Sequence, residues 1–292
     1  MANGIIIVDK PATWTSQDVT AKLRGVFHEK RIGHGGTLDP MATGVLPVFI
    51  GRATRAVEFM ESAEKEYVAG LRLGLTTNTQ DTTGEVLIEQ SVDITLDQLR
   101  AVLPKFMGEI DQIPPMFSAV KIGGRKLYEL ARKGKEVERK PRRITIHELE
   151  LVGEENGDYL LRVRCSKGTY IRTLCHDIGA ALGCGGCMSS LRRTAAGRFS
   201  LKDAVPLADI IAHEDAASLL MRVDSLFSDY PALRVRDAHT AKLKNGASVK
   251  DRAYADGTYR VYAEDGEFLL LGKAEAQTLT TIKSFFEVKD NG

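Results

Sequence analysis

Residues 33–44 read GHGGTLDPMATG, with one carboxylate, Asp39, set among four glycines, a proline and small residues. Glycine takes positive φ or lets another molecule approach the backbone, and Pro40 pushes Asp39 towards an extended conformation. The stretch predicts a rigid, irregular loop presenting a single anion. Two uses fit such an anion. It can close an Asp-Pro turn by accepting hydrogen bonds from nearby amides, or it can act as a nucleophile, because an aspartate is ionised at neutral pH and can form and release a covalent bond. Phosphate cradling does not fit: GHGGTLDP has no GK[ST] ending and so lacks the lysine and hydroxyl of a P-loop.

Three further groups carry chemical potential. Between Lys121 and Arg143 ten basic residues stand against three acidic ones, Glu129, Glu136 and Glu138. That concentration reads as the footprint of a phosphate-backbone partner or as a solvated charged face. Arg172 falls in the first turn of an expected helix, where the dipole disfavours a cation, so it needs a local anion or points to solvent. CGGC at 184–187, with Cys175 and His176 upstream, has the spacing of half a zinc site. A second pair is missing, so buried thiols are expected and no metal.

The elements that must position these groups are legible from periodicity and caps. Ile5–Val8 is a short apolar strand, followed by a helix from Thr15 or Ser16 with Val19, Leu23, Val26 and Phe27 on one face. Val45–Ile50 reads as a buried strand. Lys65–Leu73 alternates, placing Tyr67, Ala69, Leu71 and Leu73 in one row. Thr95 caps a helix expected to turn Leu96, Leu99, Leu103 and Phe106 inward. Ile144–Val152 and Tyr159–Cys165 flank an ENGD turn and form a hairpin. The helix after GTY turns Ile171, Leu174, Ile178 and Leu182 inward. From Asp229 the pattern changes to short strands with NG at 245 and DG at 256 and 265, a mostly β tail near the lower limit for independent stability.

The whole chain has 292 residues and 43% hydrophobic content, about two domains with a sizeable core. Its formal charge of +1 taken globally argues against a nucleic-acid partner, whereas the clustering at 121–143 argues for one. No apolar run reaches the roughly 20 residues of a membrane span. The N-terminus enters GIIIVDK without a basic-then-apolar leader, and four cysteines are too few for a disulfide scaffold, so a cytoplasmic protein is expected.

DKPATWTS (9–16), GHGGTLDPMATGVLPV (33–48), KEY (65–67), CSKGTYIRTL (165–174) and SLRRT (190–194), taken together, resemble the TruB-type tRNA pseudouridine-55 synthases. TNTQDTTGEV (77–86) and PPMFSAVKIGGRKLYELAR (114–132) extend the similarity across nearly all of the first 200 or so residues, and the tail loosely resembles PUA-type RNA-binding modules. The resemblance implies an α+β fold with a mixed, mainly antiparallel central sheet flanked by helices. It implies a catalytic domain at 1–228 with an RNA-binding insertion at about 114–143, and a small PUA-like domain at 229–292. It also implies conversion of uridine to pseudouridine in the TΨC loop of tRNA, by a monomer acting on the T arm without cofactor or metal. Carried over residue by residue, Asp39 is the catalytic carboxylate and Arg172 pairs with it. Tyr67 stacks on the flipped-out base and its hydroxyl assists proton removal from C5. Tyr170 and Leu191 line the uracil pocket, His34 stands beside the flipped nucleotide, and Lys10 supports the loop. Trp14 and Met41 depart from the family's usual glycine and leucine without altering a reacting group. Phe117 replaces a common tyrosine, which puts in doubt any hydrogen bond from that position.

Two other functions stay open at this level: a pseudouridine synthase for a different RNA site, and an RNA-binding or RNA-folding protein without turnover.

Overall fold

The apolar run GIIIVDK feeds two cores at once. In an extended chain successive side chains point to opposite faces, and here Ile6 and Val8 enter one hydrophobic cluster while Ile5 and Ile7 enter another. The structure, a computed structural model, describes residues 2–286.

The path of the central sheet has eight strands: β1 (Gly4–Lys10), β2 (Thr43–Ile50), β3 (Lys65–Leu73), β4 (Gly108–Gln112), β5 (Arg142–Glu155), β6 (Asp158–Cys165), β7 (Gly186–Ala196) and β8 (Ala204–Pro206). Their order is β8-β1-β2-β7-β3-β6-β5-β4, and Ile32–His34 beside β2 and Phe199–Ser200 beside β7 complete a ten-stranded sheet. The β1/β8 and β2/β7 pairs are parallel and the other pairs antiparallel, so the mixed, mainly antiparallel sheet is as the sequence implied. The β5–β6 hairpin closes through Asn156 and Gly157, both at positive φ, which matches the twist of the flanking strands.

Helices α1 (Ser16–Phe27) and α2 (Ile171–Ala181) cover one face. Thr15 and Asp18 form a reciprocal capping box at the start of α1, and Val19, Leu23, Leu174 and Ile178 join the row Tyr67, Ala69, Leu71 and Leu73 in the larger core. Leu182 is only partly buried. Leu96 is a correction: it is 43% exposed. Its helix, Leu96–Val102, buries Leu99 and Val102, and a 3₁₀ turn containing Pro104 brings Leu103 and Phe106 round to the core.

A five-stranded sheet spans Ala232–Ser284, in the order Ala232–Arg234, Gly257–Tyr262, Phe268–Glu275, Thr278–Ser284, Val249–Lys250. It has its own core, including Val235, Val261, Leu269 and Leu279. Asn245-Gly246 stops the helix Asp237–Lys244 and does not close a hairpin. The tail is not an isolated module. Phe268, Leu271 and Phe285 pack with Ile5, Phe49 and Phe227 in the second cluster, where the Phe59–Phe227 and Phe227–Phe285 ring centroids lie 5.0 and 5.6 Å apart. A small sheet with marginal burial of its own is thereby stabilised against the larger one.

Candidate active site

Asp39 lies in the loop between Ile32–His34 and β2. The backbone there is a turn: the Asp39 carbonyl accepts from the Ala42 N–H at 3.0 Å, and the Pro40 carbonyl from the Thr13 N–H at 2.8 Å. Ser16 Oγ at the start of α1 accepts from the Leu38 N–H at 2.9 Å. Lys10, fully buried at the end of β1, donates from Nζ to the carbonyls of Trp14 (2.6 Å), Pro11 (2.8 Å) and Pro40 (3.3 Å). Burial pushes its pKa down to about 8, with the Asp39 charge opposing the shift. Loop support is thus a buried ammonium that ties the Pro11–Trp14 segment to Pro40 of the Asp39 turn.

The turn reading holds for the Asp39 backbone and fails for its side chain. Among the described residues the carboxylate takes its hydrogen bond from Arg172 and not from nearby amides: Nε stands 2.9 Å from Oδ2 and Nη2 3.4 Å from Oδ1. A planar fork meeting both carboxylate oxygens fixes orientation as well as charge. Arg172 is the second residue of α2, and its side chain is only 7% exposed. Its remaining donors reach the Thr79 carbonyl at 3.1 Å and the Phe117 carbonyl at 2.9 Å, and Asp81 Oδ2 lies 3.7 Å from Nη1. Position 117 meets Arg172 through its backbone carbonyl, a contact that does not depend on the side chain. Asp81 is itself held by Thr79 Oγ1, Thr83 Oγ1 and the Thr83 N–H.

Tyr67 sits on β3 with its ring in the larger core. Burial raises its pKa, the Arg193 guanidinium opposes that shift, and the Asp39 charge adds to it. His34 is half-buried at the end of its strand, with Nε2 3.4 Å from Gln17 Nε2; burial first and Arg193 second hold its pKa down, which favours the neutral ring. Tyr170 caps the start of α2, and the buried Gln112 side chain grips its backbone on both sides, accepting from its N–H at 2.8 Å and donating to its carbonyl at 3.0 Å. Leu191 on β7 is buried in the cluster that contains Tyr67. Asp39 and Arg172 thus meet directly. Tyr67 and His34 share the field of Arg193, while Tyr170 and Leu191 make no hydrogen bond to the pair among the described residues.

A groove of about 510 Å³ lined by Leu103, Met107 and Leu149 shares no residue with this constellation.

The model of the TruB family pseudouridylate synthase N-terminal domain matches residues 24–171, and that of the tRNA pseudouridylate synthase B C-terminal domain matches 172–227. The tRNA pseudouridine synthase B of Clostridium kluyveri is 42% identical over 288 residues, covering 97% of this chain and 99% of that one. The chain belongs to the TruB family of pseudouridylate synthases. The tRNA pseudouridine synthase B of an Azoarcus species is 43% identical over 281 residues, 96% of this chain and 93% of that one. Among solved structures, a chain of a Cbf5-Nop10-Gar1 complex superposes with a TM-score of 0.72 at 29% identity, over 97% of this chain and 85% of that one. A chain of an H/ACA RNP bound to a substrate RNA containing 2′-deoxyuridine gives 0.71 at 27%, over the same shares. This TruB-family chain is a pseudouridine synthase.

Two residues of the TruB-family site escape sequence reasoning. Asp81 lies within TNTQDTTGEV, and its signal is the flanking Thr79 and Thr83, whose hydroxyls hold a carboxylate two residues away. Arg193 follows Arg192 in SLRRT. Adjacent strand residues face opposite ways, so one of two consecutive arginines on a buried strand must point inward. Arg192 pairs with Asp9 at 2.8 Å on the half-exposed side, and Arg193 is 1% exposed.

In the basic insertion the hairpin Lys121–Ile122/Arg125–Lys126 and the short helix Leu127–Ala131 leave most of the cations in solvent. Among the described residues only Arg139 and Arg143 of those ten pair with carboxylates. The four cysteines are free, buried thiols, and no group of three or more His, Cys, Asp or Glu is placed to hold a metal among the described residues. No helix there is long and apolar enough to cross a membrane.

Proposed function

We propose that this pseudouridine synthase acts as a monomer in the cytoplasm on uridine 55 in the TΨC loop of tRNA, with Asp39 as the nucleophile on a flipped-out nucleotide. The observation that carries the reading is the forked Asp39–Arg172 pair, with Asp39 half-exposed at the surface of a loop and Arg172 buried beneath it. A carboxylate held by a cation stays ionised as solvent is excluded, and it can reach an incoming nucleoside without reorganising.

The target base leaves its stack, and Tyr67, Tyr170 and Leu191 provide the apolar walls that receive it. His34 stands beside the flipped nucleotide. In the reaction the Asp39 carboxylate bonds to C1′ as the C1′–N1 bond breaks with its electron pair going to N1, the freed uracil turns, and C5 bonds to C1′ as the Asp39–C1′ bond breaks and returns its pair to the carboxylate. C5 then loses its proton, its electron pair restores the C5–C6 double bond, and N1 takes up a proton. Tyr67 assists that last removal. The cations of 121–143 grip the phosphates of the T arm, most of them unpaired by carboxylates among the described residues. The catalytic unit is residues 1–228, with the RNA-binding insertion at about 114–143, and 229–292 is a PUA-like unit that adds RNA contacts.

Asp39→Asn keeps shape and removes the nucleophile. Incubated with a T-arm stem-loop carrying tritium at uracil C5, it is expected to bind the RNA and release no tritium to water; release at the wild-type rate ends the proposal.

A further inference from the structure

Arg193 is a buried cation without a carboxylate. Its side chain is among the largest fully buried in the protein, and among the described residues no acidic group pairs with it. Taking an unpaired charge out of water is costly unless its donors are satisfied and its field is used. Two donors end on backbone: Nε on the Val45 carbonyl at 2.6 Å and Nη2 on the Gly36 carbonyl at 3.1 Å. The remaining side of the fork lies towards Tyr67, with which Arg193 hydrogen-bonds side chain to side chain.

The strand register explains where that side points. On the β7/β3 ladder Arg193 is directly opposite Tyr67, and on the parallel β7/β2 ladder it is opposite Gly44. An irregularity between Arg193 and Ala195 follows immediately, where a strand bends and re-aims its side chains. Gly44 at φ +98° lets the backbones close up there, since a Cβ would fall 2.2 Å from the Arg193 carbonyl oxygen. The guanidinium is thereby set between the GHGG loop and the Tyr67 ring.

We propose that Arg193 is a positioning residue for isomerisation, holding the Tyr67 hydroxyl oxygen with its remaining donors so that the phenol is oriented and its oxygen can carry negative charge. A guanidinium has only donors, so the phenol oxygen faces it as an acceptor and the phenol hydrogen is turned away. The groups whose charge acts on Tyr67 are Arg193 from β7, Cys165 from β6 and Asp39 from the loop. Arg193 is the cation among them. The inference rests on the proposed part of Tyr67 in proton removal, and the test separates the two.

Tritium release from the stem-loop is measured at saturating RNA for wild type, Tyr67→Phe, Arg193→Met and the double variant, with RNA affinity and thermal midpoint alongside. Tyr67→Phe alone tests the role of the hydroxyl: wild-type turnover there overturns that role and the inference together. If Tyr67→Phe is slow, Arg193→Met in the wild-type background is expected to lower kcat about 100-fold with KM little changed, and in the Tyr67→Phe background to cost less than about threefold. Equal losses in both backgrounds overturn the inference while leaving Tyr67 in place, because they show Arg193 acting only through Gly36 and Val45. The limb of the rate profile that rises with Tyr67 ionisation should also move to higher pH in Arg193→Met; an unmoved limb counts against the charge argument. Should Arg193→Met fail to fold, Arg193→Lys replaces it in the same cycle. It keeps the cation without the fork, and a partial loss of rate confined to the background with tyrosine is the expected result. The same loss with and without the hydroxyl overturns the inference.

Discussion

Replacing Arg172 by alanine tests the pair on which the reading depends, and the structure sets the size of the effect. At the 2.9 Å separation of Nε and Oδ2, an effective dielectric of about 20 gives roughly 6 kcal/mol of attraction. The Asp39 side chain is 36% exposed, so screening by solvent reduces this to about 3 kcal/mol. The guanidinium also ties the loop to the Thr79 and Phe117 carbonyls, and losing those bonds releases about another 1 kcal/mol of positional constraint near the Asp39 carboxylate. Some 4 kcal/mol off transition-state stabilisation corresponds to about 10³ in rate. The assay is single-turnover tritium release from a T-arm stem-loop, with binding of the same RNA measured separately. Arg172 is buried, so RNA affinity should stay within about threefold of wild type. Arg172→Lys should fall between the two enzymes, because an ammonium keeps charge but cannot meet both Asp39 oxygens. A rate for Arg172→Ala within about tenfold of wild type refutes the reasoning.

Two stability predictions follow from the same region. Lys10 titrates near 8 when folded and near 10.5 when unfolded, so in that window the unfolded chain binds the extra proton and stability rises with pH, by of order 3 kcal/mol in all. Lys10→Met should abolish that rise, measured as the difference between the two denaturation curves at each pH; parallel curves would show that the ammonium is not desolvated. Gly44→Ala forces an L side chain into φ +98° and against the Arg193 carbonyl, and should cost at least about 2 kcal/mol, seen as a fall of several degrees in Tm. An unchanged Tm contradicts the close approach of β2 and β7.

What was legible in the sequence was local. The strand Lys65–Leu73 was readable because its apolar alternation has a period of two, and the β5–β6 hairpin because Asn156-Gly157 suits left-handed backbone. Leu96 went wrong because it is the first residue of its helix, and the apolar row reaches the core only from Leu99 onward. The expected marginal stability of the tail took no account of Phe227, whose ring joins Phe59 to Phe285 across more than 200 residues of chain. In the site, Asp39 and Arg172 stood out as residues awkward in their local setting: an acid among glycines and a cation at a helix start. Asp81 did not, because its threonines make it look like an ordinary turn acid.

Four buried cations, Lys10, Lys65, Arg172 and Arg193, lie near the Asp39 loop; Arg172 meets Asp39 and Asp81, while Lys10 and Arg193 end on backbone carbonyls. His34 and Tyr67 are both held towards their neutral forms, so they do not change that balance. An excess of positive charge inside a low-dielectric pocket is unfavourable for the empty protein and favourable once an anion forms there. Breaking the C1′–N1 bond of uridine places an electron pair on the base and creates such an anion, confined to the pocket until C5 has bonded to C1′. The division of labour between the arginines follows from their partners. Arg172 meets a carboxylate and so fixes Asp39, whereas Arg193 meets the Val45 and Gly36 carbonyls and keeps its charge available to the phenol oxygen of Tyr67.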